Sequence, residues 1–281
     1  MSRIAFIFPG QGSQAVGMGK DLADAFPAAK AVFDEVDAAL GEKLSRLIWE
    51  GPEADLTLTA NTQPALMAVS LATVRALEAG FGVKISQAAF VAGHSLGEYS
   101  ALAAAGAISV PDAARLLRKR GQAMQAAAPA GTGAMAALIG KVDVEIAEQI
   151  ALEGSVAGTV VVANDNNAGN VVISGSKAGV EAAIAAAKAK GVRAIALPVS
   201  APFHSPLMAP AAVAMQEALG IAKISKPVVP VVANVTARPI DEPADIRRLL
   251  VEQVTGRVRW RESVQWMASP QSEGGGGVTK F

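Results

Sequence analysis

The stretch that most narrows the possible folds is Gly93-His94-Ser95-Leu96-Gly97. A run of small apolar residues, Gln87-Ala88-Ala89-Phe90-Val91-Ala92-Gly93, leads into it, and helix-forming residues resume at Leu96. The reading is a buried strand, a sharp turn and a helix, which is the pattern of a nucleophile elbow. Such a turn holds Ser95 in a strained conformation, and only glycines at 93 and 97 leave room for the close chain crossing. The hydroxyl then stands over a helix N-terminus, where the dipole favours developing negative charge. The five residues alone also suit a plain glycine-rich connection, so the flanking elements carry the assignment.

Those elements recur along the chain. Residues 3–8, Arg-Ile-Ala-Phe-Ile-Phe, are a short apolar run ended by Pro9-Gly10 and read as a buried strand. Ala23 to Leu40 is helical in pattern, and Gln63 to Gly80 is a second helix with Gly80 as its stop. Strands alternating with helices imply a parallel sheet with helices on its faces. The middle of the chain differs. Residues 134–140, 159–165, 170–175 and 192–199 read as strands, and 142–154 and 178–191 as helices. That is a βαββαβ order, a ferredoxin-like unit. The expected organisation is α/β: a large parallel-sheet domain over 1–128 and 198–281, with the ferredoxin-like subdomain inserted at 129–197. Strand and helix patterns return at Pro210–Gly220, Val229–Val235 and Asp245–Val254. Ser269–Phe281 reads as a glycine-rich loop followed by the start of another element.

Composition removes several classes of function. The 281 residues carry 25 Lys plus Arg against 25 Asp plus Glu, which gives no general attraction to nucleic acid or an anionic membrane. There is no cysteine, so disulfides, a thiol nucleophile and Cys-type zinc sites are excluded. Two histidines speak against a His-rich metal site. At 51% hydrophobic and 18% charged, the chain has material for a sizeable core. The apolar start is too short for a signal-peptide core, and no run approaches the roughly 18 uninterrupted apolar residues of a membrane span. The expectation is a soluble, cytoplasmic monomer with no metal or redox cofactor.

If Ser95 is a nucleophile, a base must take its proton. His94 leaves the turn in a different direction, and packing is its expected role. That leaves His204, in Pro202-Phe203-His204-Ser205-Pro206. Ser205 is suited to cap a helix that starts at Pro206, and the positive end of that dipole would keep the His204 ring neutral. No carboxylate stands out as a triad acid: Asp241, Glu242 and Asp245 share an undistinguished polar region, so a backbone or amide carbonyl is left to orient the histidine. A third candidate is Arg120. Wound at about 100° per residue, the helix that begins after Ser109 puts Ala113, Leu116, Leu117, Ala123, Met124 and Ala127 on one face, with Arg120 in the middle. Arg115, Arg118 and Lys119 point elsewhere, as solvated charges. A buried guanidinium needs an anion, either an internal carboxylate or a substrate carboxylate held by two-pronged geometry. Gly10-Gln11-Gly12-Ser13-Gln14-Ala15 matches a dinucleotide fingerprint, but the acidic residues expected to end a second strand, Asp34 and Glu35, lie inside a helical pattern. The loop is better suited to present backbone N–H groups to an oxyanion near Ser95.

Phe8-Pro9-Gly10-Gln11-Gly12-Ser13-Gln14, Gly93 to Leu102, Arg118 to Gln125, Pro202 to Met208 and Val229 to Val235 follow in the order found in malonyl-CoA:acyl carrier protein transacylases. The chain resembles that family over nearly its whole length, and the acyltransferase domains of fatty acid and polyketide synthases are similar. The resemblance implies an α/β-hydrolase-like core, Ser95 as nucleophile, His204 as base, and Arg120 as the clamp on a malonyl carboxylate. It implies oxyanion donors in the backbone N–H groups of Gln11 and Leu96. It further implies that the Gln253 backbone carbonyl orients the histidine, and that Phe203 goes with malonyl rather than branched acyl groups. Met124 is counted with Phe203 and Arg120 in the substrate-contacting set. The partners implied are malonyl-CoA and acyl carrier protein. Carrier proteins of this family are acidic, so Lys188, Lys190, Arg193, Arg118 and Lys119 are candidates for the docking surface. Family members usually continue past Phe281 with a strand, a turn and a final helix. Two rivals are a serine hydrolase that passes the acyl group to water and a non-catalytic subunit that only docks carrier protein.

Overall fold

The computed structural model describes residues 3–129, 131–199 and 201–281. The range 129–197 and the run before Phe203 thus each contain one residue, Ala130 and Ser200, outside the described set. The chain opens with β1 (Ala5–Phe8), a loop over Pro9 to Gly19, and helices α1 (Lys20–Ala25), α2 (Pro27–Leu40), α3 (Leu44–Glu50), α4 (Glu53–Thr57) and α5 (Thr59–Phe81). The helix expected from Ala23 to Leu40 is broken at Phe26, which is extended, because Pro27 has no N–H to continue a helix and instead begins α2. The stop expected at Gly80 falls at Gly82, whose φ of 65° allows it to close the helix back on Glu78 O. Gly80 lies inside α5 for a packing reason: a Cβ there would stand 2.7 Å from the Phe26 ring.

Next come β2 (Phe90–Gly93), α6 (Gly97–Ala104) and α7 (Val110–Ala126). Ser109 caps α7 through its hydroxyl, and Pro111 sits in the first turn, as its sequence indicated. A second body follows: β3 (Gly133–Ile139), α8 (Val144–Gly154), β4 (Val160–Asn167), β5 (Asn170–Ser176), α9 (Lys177–Ala189) and β6 (Arg193–Ala196). The chain then returns through a short 3-10 turn, Pro206–Met208, to α10 (Ala209–Ile221), β7 (Val231–Ala233), β8 (Arg238–Ile240), α11 (Pro243–Thr255) and α12 (Trp260–Ala268).

Two sheets result. In the order β1-β2-β7-β8, the first three strands are parallel, Ala5 beside Phe90 and Val91 beside Val231, and β8 adds an antiparallel edge. All four residues of β2 are buried, as a central parallel strand requires. In the order β4-β5-β3-β6 every pairing is antiparallel, and α8 and α9 pack on one face over Leu138, Ile150, Ile173 and Val180. The α/β class expected from the pattern, a parallel-sheet core plus a separate antiparallel βαββαβ unit, is the class observed. Helix α5 is 23 residues long and apolar enough by length and composition to cross a membrane, but it packs against α2 and α7 with Thr62, Gln63 and Ser70 buried in the core.

The two sheets are locked together beside β4. Val258 forms an isolated parallel bridge with Asn164, accepting from Asp165 N at 2.9 Å and donating to Ala163 O at 2.8 Å. Arg261 Nε meets the buried Asp165 carboxylate at 2.9 and 3.0 Å. The final residues run beside β1, with Lys280 bridged to Ile4 and Val278 buried. This junction leaves the C-terminal end of β2 facing the antiparallel sheet.

Candidate active site

Ser95 sits at that end of β2 with φ at 53°, inside the left-handed region that a β-carbon disfavours. The crossing leaves no room for side chains on either side. A Cβ at Gly93 would lie 1.9 Å from the Gly97 carbonyl carbon, and one at Gly97 would lie 2.6 Å from Phe8 O. Asn234, immediately after β7, pins the turn from the neighbouring strand: its Oδ1 accepts the Ser95 N–H at 2.7 Å, and its Nδ2 donates to Gly93 O at 2.7 Å. Asn234 lies within the apolar stretch Val229–Val235, where nothing in the sequence gives it a role. The strand order that brings β7 beside β2 is what gives it one.

His204 also has a positive φ, 55°, and turns its Nε2 to 2.8 Å from Ser95 Oγ. Its Nδ1 faces two carbonyls, Gln253 O at 2.9 Å and Gly256 O at 3.1 Å. Two acceptors require a proton on Nδ1, which leaves the Nε2 lone pair for the serine hydroxyl. Burial, followed by the Arg120 charge, holds the imidazole's pKa down to about 3. This corrects the sequence argument for a neutral ring. The element after His204 is only a 3-10 turn, and Ser205 Oγ donates to Pro202 O at 2.7 Å instead of capping it. Asp241 and Glu242 pair with Lys226, and Asp245 with Arg248, all on the surface.

Arg120 is 1% exposed in the middle of the buried face of α7. Its Nη1 donates to Gln63 Oε1 at 2.8 Å; its Nη2 donates to Gln253 Oε1 at 2.9 Å and to Ser95 Oγ at 3.0 Å. The guanidinium lies over the Tyr99 ring, 5.8 Å from its centroid. Every direct acceptor is neutral, and among the described residues no carboxylate forms an ion pair with it. The internal salt bridge left open by the sequence is thus not what fills the place. Glu98 is buried close by, its carboxyl pushed up to about 7 by burial. Gln63 and Glu98 carry no sequence signal beyond lying in apolar helical stretches.

Ser95, His204, Arg120, Gln11, Leu96, Phe203 and Met124 line one cavity of about 180 Å³. Gln253 stands behind it. The antiparallel sheet adds Met135, Val172 and Asn166 to the wall. Among the described residues, the backbone N–H groups of Gln11 and Leu96 have no hydrogen-bond partner and remain available to an oxyanion. The loop at Gly10 does not run into a helix until Lys20, and Asp34 and Glu35 lie within α2, so no dinucleotide fingerprint is present in three dimensions. His94 packs edge-on against Trp260, and it also lines the cavity with its Nε2 2.9 Å from Asn166 Oδ1. One expectation needs correction. Arg118 is not a solvated charge, being largely buried against Asn61 and Glu42. Lys190 pairs with Glu153 at 2.9 Å, while Lys119, Lys188 and Arg193 are exposed. Among the described residues no group of three His, Cys, Asp or Glu side chains gathers to hold a metal ion. The set is a serine hydroxyl, a neutral imidazole, two unpaired N–H groups and a buried cation, an arrangement whose chemistry suits acyl transfer from a substrate that carries a free carboxylate.

Residues 5–273 match the family model for the acyl transferase domain. The chain is 49% identical over 283 residues to the malonyl CoA-acyl carrier protein transacylase of Bacillus subtilis (strain 168), covering 100% of this chain and 86% of that one. It is 47% identical to the enzyme of that name from Escherichia coli (strain K12), over 96% of this chain and 86% of the other. The crystal structure of acyl-carrier-protein-S-malonyltransferase from Bartonella henselae superposes with a TM-score of 0.92 at 56% identity, covering 95% of this chain and 85% of that one. A malonyl-transacylase solved in complex with its type II PKS acyl-carrier protein superposes with a TM-score of 0.91 at 43% identity, covering 98% of this chain and 87% of that one.

Proposed function

This chain belongs to the acyl transferase family, and from that premise we propose that it moves malonyl groups from malonyl-CoA to the phosphopantetheine thiol of acyl carrier protein through an ester on Ser95. Ser95 Oγ attacks the thioester carbon while His204 Nε2 takes its proton. The tetrahedral oxyanion is met by the Gln11 and Leu96 N–H groups. The carbon–sulfur bond then breaks, and His204 returns the proton to the coenzyme A thiolate. In the second half the carrier thiol gives its proton to His204, its sulfur attacks the ester, and Ser95 leaves with the proton restored. Bonds change only at the acyl carbon, so the steps as written call for no metal or redox group.

The observation that carries the reading is Arg120: a fully buried guanidinium, 3.0 Å from the candidate nucleophile, with neutral acceptors only. A malonyl carboxylate supplies the missing anion, which a hydrolase of simple esters has no need to hold. Acyl carrier protein as the acceptor fits the names of the relatives and the neighbour solved with its carrier. Docking by exposed cations such as Lys188 and Arg193, a cytoplasmic place of work and a monomeric state belong to the same proposal. The test is incubation with labelled malonyl-CoA, with mapping of the modified residue by mass spectrometry, then addition of carrier protein. Label absent from Ser95, or released to water at the same rate with and without carrier, sinks the reading.

A further inference from the structure

Glu98, in the first turn of α6, is 1% exposed and is used by neither step above. Its Oε2 accepts two hydrogen bonds, from Asn234 N at 2.9 Å and from Gln253 Nε2 at 2.8 Å. Gln253 Nε2 also donates to Ser95 O at 3.0 Å, while Gln253 Oε1 accepts from Arg120 at 2.9 Å. The amide thus has acceptors on one side and a cation on the other. Turned over, it would set its oxygen against the accepting Glu98 Oε2 and its NH₂ group against a guanidinium. Only one orientation is compatible with both neighbours, because Glu98 Oε2 accepts on one side and the guanidinium can only donate on the other.

Arg120 needs this constraint, because its other direct acceptors are Gln63 and the hydroxyl of the nucleophile itself. Gln63 holds Nη1, so the Gln253 oxygen is the protein acceptor, apart from the nucleophile, that holds Nη2, the nitrogen facing Ser95. Burial pulls the Arg120 pKa down, and the neighbouring Tyr99 and Glu98 act in the opposite sense. We propose that Glu98 is a positioning residue: through the Gln253 amide it sets where the Arg120 guanidinium stands, and so sets the preference for acyl groups that carry a carboxylate. The inference rests on the reading of Arg120 as the socket for the substrate carboxylate.

The experiment compares kcat/KM for malonyl-CoA and acetyl-CoA, with carrier protein as acceptor and folding followed by circular dichroism. Glu98→Gln keeps a carbonyl acceptor at the same reach and holds the malonyl-to-acetyl preference within about threefold of the parent. Glu98→Met keeps length and volume without an acceptor and lowers the preference by about tenfold or more, chiefly as a raised KM for malonyl-CoA. Gln253→Leu retains the backbone carbonyl that faces His204 and lowers the preference by the same factor. Combining Glu98→Met with Gln253→Leu adds no further loss, since both break one relay. An unchanged preference in folded Glu98→Met, or in Gln253→Leu should Glu98→Met not fold, overturns the proposal. So do fully additive losses, or a Glu98→Gln as impaired as Glu98→Met. Arg120→Ala, run in parallel, separates the failures: if it leaves the preference unchanged the socket reading is wrong, and if it alone lowers the preference only the relay is wrong.

Discussion

The parallel and antiparallel sheets face the same cavity with different chemistry. From the strands and loops of the parallel sheet come Ser95, Leu96, Gln11 and Asn234, and the helices beside it bring Glu98 (α6), Arg120 (α7) and Gln253 (α11). The antiparallel sheet contributes two apolar side chains, Met135 and Val172, and two amides from β4, Asn164 and Asn166, with no titratable group among them. Among the described residues, the non-glycine positions with positive φ, Ser95, His204 and Ala237, all lie outside the antiparallel sheet. Strain and buried polar groups are costly unless the surroundings hold them fixed. The backbone strain gathers around the parallel sheet, while the buried polar groups of the antiparallel sheet, Asn164, Asp165 and Ser174, sit in regular strands.

The comparison breaks most sharply if the reactive groups are not where the parallel sheet holds them. Ser95→Ala is expected to abolish the covalent malonyl-enzyme with the fold intact, checked by mass spectrometry and circular dichroism. His204→Ala is expected to slow acylation by roughly two to four orders of magnitude, read in rapid-quench kinetics. A covalent adduct in Ser95→Ala, or an unchanged rate in His204→Ala, would remove those residues from the chemistry.

Arg120→Ala should cost malonyl transfer about 3 kcal/mol, on the order of a hundredfold in kcat/KM, and spare acetyl transfer, which has no carboxylate to hold. Equal losses for the two acyl groups would make Arg120 a structural residue.

Titration offers a different probe of the same network. The Glu98 carboxyl is raised to about 7. A raised pKa contributes stability that is fully present below the unfolded value near 4.5 and is lost as pH rises through 7. The depressed His204, at about 3, has the opposite sign: its contribution is present above the unfolded value near 6.5 and is lost as pH falls toward 3. Between about pH 4.5 and 6.5 the two slopes oppose each other. Denaturant unfolding of the parent and of Glu98→Gln should therefore diverge with pH, the parent losing ground by about 1.4 kcal/mol per unit as pH rises from 4.5 to 7. Parallel curves would place the Glu98 proton elsewhere.

Changes in the antiparallel sheet should be smaller and of another kind. Val172→Ala is expected to leave malonyl-CoA kcat/KM within about threefold while improving a branched malonyl thioester, because it widens an apolar wall and touches no reacting atom. A large loss with malonyl-CoA would mean that the wall does more than shape. Lys188→Glu, on the outer flank of that sheet, should slow transfer to carrier protein a few-fold at low salt and leave acylation by malonyl-CoA unchanged. No change at any salt would move the dock away from this flank.

Local signals carried much of the fold. The period-two and period-3.6 patterns, with glycine and proline punctuation, were enough for the α/β class, the βαββαβ unit and the elbow. Pattern alone does not place the break at Phe26 or the end of α5, where one proline and one packed ring override it, nor the turn after His204, where the Ser205 hydroxyl bonds Pro202 O instead of capping. The short helices α3, α4 and α12 and the edge strand β8 are too brief for a period to declare itself. Within the site, Ser95 and Arg120 were legible because each violates its surroundings: a serine between glycines, a charge on an apolar face. Asn234, Glu98, Gln63 and His94 were not, because a buried polar residue declares its purpose only through the partner it meets.

What the sequence by itself determined is the set of local conformations and the short list of reactive groups, since both follow from side-chain size, charge and periodicity. What only the tertiary structure decided is which groups meet. The order β1-β2-β7 brings Asn234 under Ser95, and the passage from α11 to α12 brings Gln253 and Gly256 behind His204 and ties Val258 to the antiparallel sheet. Those contacts join residues far apart in the chain. Their energies depend on burial and distance, quantities that exist only once the two sheets have packed together.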